Sequence, residues 1–318
     1  MSVVHVRVVC PPALTPAVLD VLRAEPGSTN VVALPGAAVS PAGDLLQAEV
    51  AREATDDVLR RLEDLGVTDA GSIVLETVEL AVGSDVRRAE DDAPGEGDDA
   101  VVWDQLAAAA DGGATNSFSY YAFLVLATLI AAVGLLTDSQ VLIVGAMVLG
   151  PEFGPLAALA VAVVRRRRDL VAGPLRAILL GFPLAILVTA GGVALLHAVD
   201  LVPPEFLEGR RPLTSFVAAP DAFSVIVALL AGIAGTLSLT SAKAGPLVGV
   251  FISVTTVPAA ADIAAGAVTG QYGTSAGAVV QLAVNLSCIV VAAVATLAVQ
   301  RAFWQGSRHR ERPRHPVS

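Results

Sequence analysis

VLIVGAMVLGPEFGPLAALAVAVVRRRRD, residues Val141 to Asp169, is apolar enough over most of its length to cross a bilayer. Yet its middle reads Gly150-Pro151-Glu152-Phe153-Gly154-Pro155. Crossing the hydrocarbon takes about 20 mostly apolar helical residues. Proline lacks an N–H and clashes with the turn before it. Pro151 and Pro155 therefore each predict a carbonyl released four residues back, on Met147 and on Pro151. No water in the hydrocarbon replaces a lost backbone hydrogen bond, so such a break must face protein or a wet cavity. Glu152 adds a carboxylate near mid-span. An ionisable group there costs roughly 2.5–3.5 kcal/mol on insertion scales and is functional by default. Gly145, Gly150 and Gly154 complete a helix-break motif with the two prolines. A broken helix with polar groups at mid-depth is the usual architecture of a transporter site.

The surrounding sequence extends the membrane reading. Six stretches are long and apolar enough to span: Phe118–Leu136, Val141–Val164, Leu170–Val199, Ala222–Leu239, Pro246–Val268 and Ala276–Val299. The third holds Pro174, Arg176, Gly181 and Pro183, and is expected to start in the interface and bend. Ala and Gly recur in nearly every span and permit close helix pairing. Lys and Arg set orientation, because cytoplasmic loops carry them in excess. Arg165, Arg166, Arg167 and Arg168 close the second span and so mark the cytoplasmic side. Counting from there places both termini and Lys243 in the cytoplasm. Only Arg210 and Arg211 fall outside, in the longest external loop, Asp200–Asp221. The expectation is a multi-pass protein of the cell (plasma) membrane.

A later stretch echoes the first break. Gly145 precedes Pro155 by ten residues, and Gly249 precedes Pro258 by nine. Asp262 follows, again a carboxylate in an apolar span. Three spans per half insert with opposite orientations, which is the 3+3 inverted repeat of many secondary transporters. Gly134-Leu135-Leu136, the IVGAM of Ile143–Met147, Pro151-x-x-Gly154-Pro155, the LVGVFISVTTVPAAA of Leu247–Ala261 and Asn285-Leu286 together resemble the membrane family called domain of unknown function 389. The resemblance covers about residues 118–300. It implies a bacterial or archaeal multi-pass inner-membrane protein, often with an N-terminal soluble domain, and implies no established activity.

The front of the chain is different in kind. Residues 1–116 hold 7 Lys/Arg against 21 Asp/Glu, a net of −14, while residues 117–318 hold 13 against 9, a net of +4. The acidic front argues against nucleic acid as a partner. Val3–Val9 alternates as a half-buried strand, with His5 and Arg7 on the solvent face. Thr15-Pro16 supplies a cap and a first-turn proline for a helix to about Glu25. Strands follow at Ser28–Leu34, ended by Pro35-Gly36, and at Asp44–Val50. A helix over Glu53–Leu65 stops at Gly66, and a last strand covers Ser72–Leu80. This βαββαβ order predicts an α+β, ferredoxin-like cytosolic domain over residues 1–82, with a regulatory or a scaffold role. Residues 83–100 carry seven acids between Gly83 and Asp99 and read as an acidic, disordered linker. Residues 101–116, with Trp103 and Leu106, read as an amphipathic interfacial segment. Residues 117–303 form the membrane domain, and 304–318 a basic cytoplasmic tail. The amino-terminal MSVVHVRVVCPP lacks a basic stretch ahead of an apolar core, so no signal peptide is expected.

The candidate substrate- or ion-binding residues are Glu152, Asp262, Asn285, Thr255 and Thr256. Glu152 is read as an ion or proton site in preference to a structural carboxylate. Asp262 lies nearer the outer end of its span, where solvation is easier, and its two readings stay open. Ser253, Thr255 and Thr256 either line a path or bond back to their own helix. Asn285, Gln281 and Ser287 fit polar helix–helix contact as well as a site. Cys10 and Cys288 give neither a disulfide framework nor a metal site. His197, His309 and His315 have no metal-ligand company, so no metal and no cofactor is expected. GxSxG, HExxH, P-loop and GxGxxG motifs are absent, so the chain is not expected to be an enzyme. The partners expected are the lipid bilayer, a small-molecule or ion substrate and, as a further option, copies of the same chain. The reading is a secondary transporter or channel-like protein. The alternative is a membrane-anchored sensor or scaffold that transports nothing.

Overall fold

A computed structural model describes residues 3–78, 80–93, 117–215, 221–240 and 256–310, and the chain divides into two compact units. In the N-terminal unit the elements are β1 (Val3–Cys10), α1 (Thr15–Ala24), β2 (Ser28–Val39), β3 (Ala42–Ala51), α2 (Arg52–Asp64), a short α3 (Val67–Ala70), β4 (Ser72–Thr77) and α4 (Ser84–Asp92). The four strands form one sheet in the order β2-β3-β1-β4, with every neighbouring pair antiparallel. The period-2 pattern of β1 sends Val4, Val6 and Val8 to one face, directly opposite Val50, Ala48 and Leu46 of β3. Val18 and Leu22 of α1 and Val58 and Leu62 of α2 close that face into a core. His5 lies on the other face, its Nδ1 3.4 Å from the Glu49 carboxylate. Gly66 ends α2 at φ 74, the left-handed conformation that glycine adopts without strain.

Three details depart from the sequence reading. β2 does not stop at Pro35-Gly36 but continues to Val39. It is an edge strand, where the missing proline N–H faces no neighbour, and the register slips between Leu34 and Ala38 around Gly36 at φ 65. Thr15 does not cap α1, whose cap is Leu14. Its hydroxyl instead donates to Asp44 at 2.6 Å, and the Gly36 N–H donates to the same carboxylate at 2.8 Å. Residues 84–92, expected inside the disordered linker, form α4. Composition across the whole stretch hid a local stripe: Val86 and Ala89, three apart, are both buried, while Arg88 and Asp85 pair on the exposed side. The rest of the expected linker and the segment with Trp103 and Leu106 lie outside the described residues.

The Asp44 contacts make a testable statement about acid stability. The Thr15 hydroxyl and then the Gly36 N–H hold its carboxyl below the usual carboxylate range. A depressed folded value contributes stability that is fully present above the unfolded value of about 3.9 and is lost as pH falls through the folded one. Asp44→Asn should therefore lower the unfolding temperature of the N-terminal unit at pH 7 and flatten its decline below about pH 4. Parallel acid profiles for the two proteins, followed by circular dichroism, would refute this.

The rest of the chain forms α5 (Phe118–Leu136), α6 (Gln140–Leu149), α7 (Phe153–Val164), a 3-10 turn (Arg168–Leu170), α8 (Ala172–Ala198), a short α9 (Pro204–Leu207), α10 (Ala222–Thr240), α11 (Val257–Thr269) and α12 (Tyr272–Arg310), and the second unit takes these helices as far as Leu239 of α10 and Val299 of α12. Among the described residues four helices are long and apolar enough to cross a membrane, or five if α6 and α7, bent by 51° at their break, make one span. Six were expected, and residues 241–255, which include the first part of the expected fifth span, lie outside the described residues. Of the expected fifth span only α11 is described, and its 13 residues reach about 20 Å against a hydrocarbon core of about 30 Å. α12 runs on to Arg310, well past the expected end of the last span at Val299, so the start of the expected basic tail is helical. Leu179, Leu180, Leu184, Leu187 and Leu195 of α8 are exposed. A contiguous apolar face of this kind suits acyl chains and not water.

Small residues set the helix spacing. α5 packs on α6, α8 and α11. A Cβ at Gly134 of α5 would stand 2.9 Å from Ile143 Cγ1 of α6, and one at Gly181 of α8 would stand 3.0 Å from Leu124 of α5. A Cβ at Gly232 of α10 would meet the Ile289 carbonyl of α12 at 2.7 Å and the Ala292 Cβ at 2.8 Å. Gly232→Val should cost about 1–3 kcal/mol through overpacking. Gly191→Ala, at a site with nothing within 4 Å, should cost little by the same measurement, thermal unfolding in detergent. Equal losses in the two variants would contradict this packing.

Candidate functional site

The break begins where α6 ends. Ser139 starts that helix by accepting the Leu142 N–H, and Gly150 ends it, donating its own N–H to the Met147 carbonyl at 3.3 Å. The carbonyl that Pro151 was expected to release is thus taken up locally. Pro155 releases nothing either. It lies in the first turn of α7, where an N–H has no intrahelical acceptor, and Pro151 is outside the helix. Two prolines and two glycines therefore make a clean stop and restart.

Glu152 is the cap residue of α7. Its backbone carbonyl accepts the Leu156 N–H at 3.3 Å, and its side chain is completely buried. The carboxylate Oε1 accepts the Thr256 hydroxyl at 2.6 Å. Thr256 is in turn the cap residue of α11. Its carbonyl accepts the Ala260 N–H at 3.0 Å, and Pro258 stands in the first turn as Pro155 does in α7. Two helix starts, 104 residues apart in sequence, thus meet through their cap side chains. The start of a helix carries a partial positive charge that favours a nearby carboxylate, and here two starts share one. Tyr120 of α5 lies within electrostatic reach of Glu152, and its hydroxyl donates to the Ala177 carbonyl of α8 at 3.3 Å. α6 spans about 15 Å and α7 about 18 Å, so Glu152 divides a length of about one hydrocarbon core near its middle.

Asp262 is six residues beyond Thr256 on α11, about 9 Å along the axis. The sequence reading placed it where solvation is easy, and the structure overturns that. Asp262 is completely buried, and Arg211 is 6% exposed. The guanidinium reaches Asp262 with both terminal nitrogens, Nη1 at 2.5 Å from Oδ1 and Nη2 at 3.1 Å from Oδ2. The Phe206 ring centroid lies 5.2 Å from its Cζ. Arg211 was expected merely to sit in an external loop. A signal existed in the sequence: Arg210 and Arg211 are the basic residues that violate the charge bias used to orient the chain.

Asn285 is completely buried on α12 and accepts the Gln281 Nε2 at 3.4 Å, one turn away in the same helix. Gly145 has nothing within 4 Å of where a Cβ would be, so it marks no close approach. Gly150 and Gly154 belong to the stop and restart just described. Thr255 and Gly249 lie outside the described residues. Arg165 follows α7 directly; Arg166, Arg167 and Arg168 are exposed, and Arg167 pairs with Asp169 at 2.7 Å. Among the described residues no three His, Cys, Asp or Glu side chains come together as a metal site.

Residues 147–291 match the family described as Domain of unknown function (DUF389). The match takes in the break, α7, α8, the segment bearing Arg211, and α11. An uncharacterized protein from the archaeon Methanocaldococcus jannaschii is 29% identical over 175 residues, 53% of this chain and 51% of that protein. The chain thus spans about half the length of that relative. No solved structure matches it.

Proposed function

We propose, for a chain that carries domain of unknown function 389 across residues 147–291, a transporter or channel-like role in which Glu152 binds a small monovalent cation. One observation carries this reading: the completely buried Glu152 carboxylate, 2.6 Å from the Thr256 hydroxyl, at the meeting point of two helix starts. Broken helices that bring polar groups to mid-depth are how transporters build such sites. A buried acid in a membrane bundle is costly and is kept for a purpose. The first-turn prolines of α7 and α11 support the idea of two inverted halves. In this reading the N-terminal unit, with its two interleaved β-α-β units, is a ferredoxin-like regulatory module. Arg165–Arg168 and both termini face the cytoplasm of a cell-membrane protein. The bilayer is its partner, and no catalysis is part of its role.

The test is flux in liposomes reconstituted with the intact protein. Wild type should dissipate an imposed proton or sodium gradient, and Glu152→Gln should do so far more slowly at the same ion concentration, while thermal unfolding in detergent stays the same. Equal rates for the two proteins remove Glu152 from the role. A wild type indistinguishable from empty liposomes favours a membrane-anchored sensor or scaffold.

A further inference from the structure

Residues 200–215, which follow α8, are fastened to the bundle at several places. Near residue 215 the Thr214 hydroxyl and the Leu213 N–H donate to the Asp138 carboxylate in the α5–α6 turn, at 2.8 and 3.2 Å. Gln140, the first residue of α6, donates to the Leu213 carbonyl at 3.0 Å. Gln271, between α11 and α12, donates to the Phe206 carbonyl at 2.7 Å. These contacts hold the segment against the helix ends. Arg211 does something else. It leaves the segment and enters the bundle to reach Asp262, halfway along α11.

A buried ion pair is a weak way to hold two parts together, because desolvation offsets most of the Coulomb gain. An apolar pair of similar volume would fasten the segment at least as well. Ion pairs of this kind are best attested where they set a register or serve a switch, since either they are made in full or both charges must go elsewhere. Position argues the same way. α11 runs from the Thr256–Glu152 contact to the turn pinned by Gln271. Arg211 and Asp262 meet between those points, about 9 Å from the Glu152 end. On α11 the pair therefore stands between the loop-side end of the helix and the Glu152 carboxylate.

We infer that Arg211 and Asp262 form a latch that holds residues 200–215 across one end of the bundle and closes the loop-side approach to Glu152. The inference rests on the proposed cation site only for its destination. The structure described here is the latched form, with Arg211 packed on Phe206 and the segment seated on the α5–α6 and α11–α12 turns. Opening requires the pair to part and the segment to lift from Asp138 and Gln271.

The test reads accessibility. Ala260 is completely buried, two residues before Asp262 on the Glu152 side. Ala260→Cys is introduced into full-length protein lacking Cys10 and Cys288 (both changed to Ser). It is then labelled in liposomes by a charged, membrane-impermeant thiol reagent applied to the loop side. With the latch intact labelling is slow. Arg211→Gln should speed it by about 5- to 150-fold, the span of an ordinary coupling free energy. The exchanged pair, Arg211→Asp with Asp262→Arg, should slow it again. Asp138→Gly tests the same closure without touching the buried charges. It removes the acceptor for Leu213 and Thr214 while keeping the φ of 48 that residue 138 adopts, and it too should speed labelling. Unchanged labelling in Arg211→Gln and Asp138→Gly overturns the latch. So does an exchanged pair that labels as fast as Arg211→Gln. Labelling needs no transport. A protein that carries no ion yet responds to Arg211→Gln defeats the proposed function and keeps the latch, and a protein with Glu152-dependent flux but no labelling response does the reverse.

Discussion

Asp262→Ala is expected to destabilise the membrane unit by about 3–5 kcal/mol, because it strands Arg211 as a buried charge without its carboxylate. The guanidinium is 6% exposed and already lies against the Phe206 ring, so water reaches it only if the segment carrying it moves. Removing both charges is a different experiment. Arg211→Met with Asp262→Leu leaves no stranded ion, and such replacements of buried pairs range from neutral to stabilising by about 1–4 kcal/mol. Denaturation of the purified protein, followed by helix content, reads both. A single variant that loses less than about 1 kcal/mol would mean that the pair is solvated in the membrane protein and that the burial argument fails. The double variant should fold well, and should also lose the charge-dependent closure.

Glu152→Gln carries the second large effect, and it falls on binding and not on folding. The amide keeps the shape of the carboxylate and accepts the Thr256 hydroxyl as before, so the junction of α7 and α11 should survive. What goes is the negative charge. A hydrogen bond or contact to a charged group is worth about 1.5–3 kcal/mol, which is roughly 10- to 100-fold in ion affinity. Thr256→Val leaves the charge and removes the donor that orients it, so its loss should be nearer the lower end of that range. Half-saturation of flux against ion concentration separates the two variants. A Thr256→Val loss larger than that of Glu152→Gln would mean that the hydroxyl, and not the carboxylate, is the essential ligand.

The parts of this architecture written in consecutive residues were legible. α5 runs Phe118–Leu136, as its apolar run predicts, and starts at Ser117, whose hydroxyl accepts the Tyr120 N–H. The break at Gly150–Glu152 follows from proline and glycine chemistry that needs no partner. In the N-terminal unit the alternation of β1 and β3 and the stop at Gly66 were readable for the same reason. Elements that depend on a neighbour were not. β2 continues past Pro35 because, among the described strands, it lies at the edge of the sheet. α4 forms because the buried side of the unit accepts Val86 and Ala89, a stripe too short to outweigh the surrounding acids in any average.

The sequence by itself determined that this chain has helices apolar enough for a membrane, where the second apolar stretch breaks, and that an acid stands at the break. Those facts follow from hydropathy and from the covalent limits of proline and glycine, which act within a few residues. Only the tertiary structure decided what the acids meet. Glu152 finds Thr256 across 104 residues, and Asp262 finds Arg211 across 51. Which side chain a buried carboxylate faces is set by the way helices pack. Packing is governed by small-residue contacts such as Gly134 on Ile143 and Gly181 on Leu124, which no local pattern reveals.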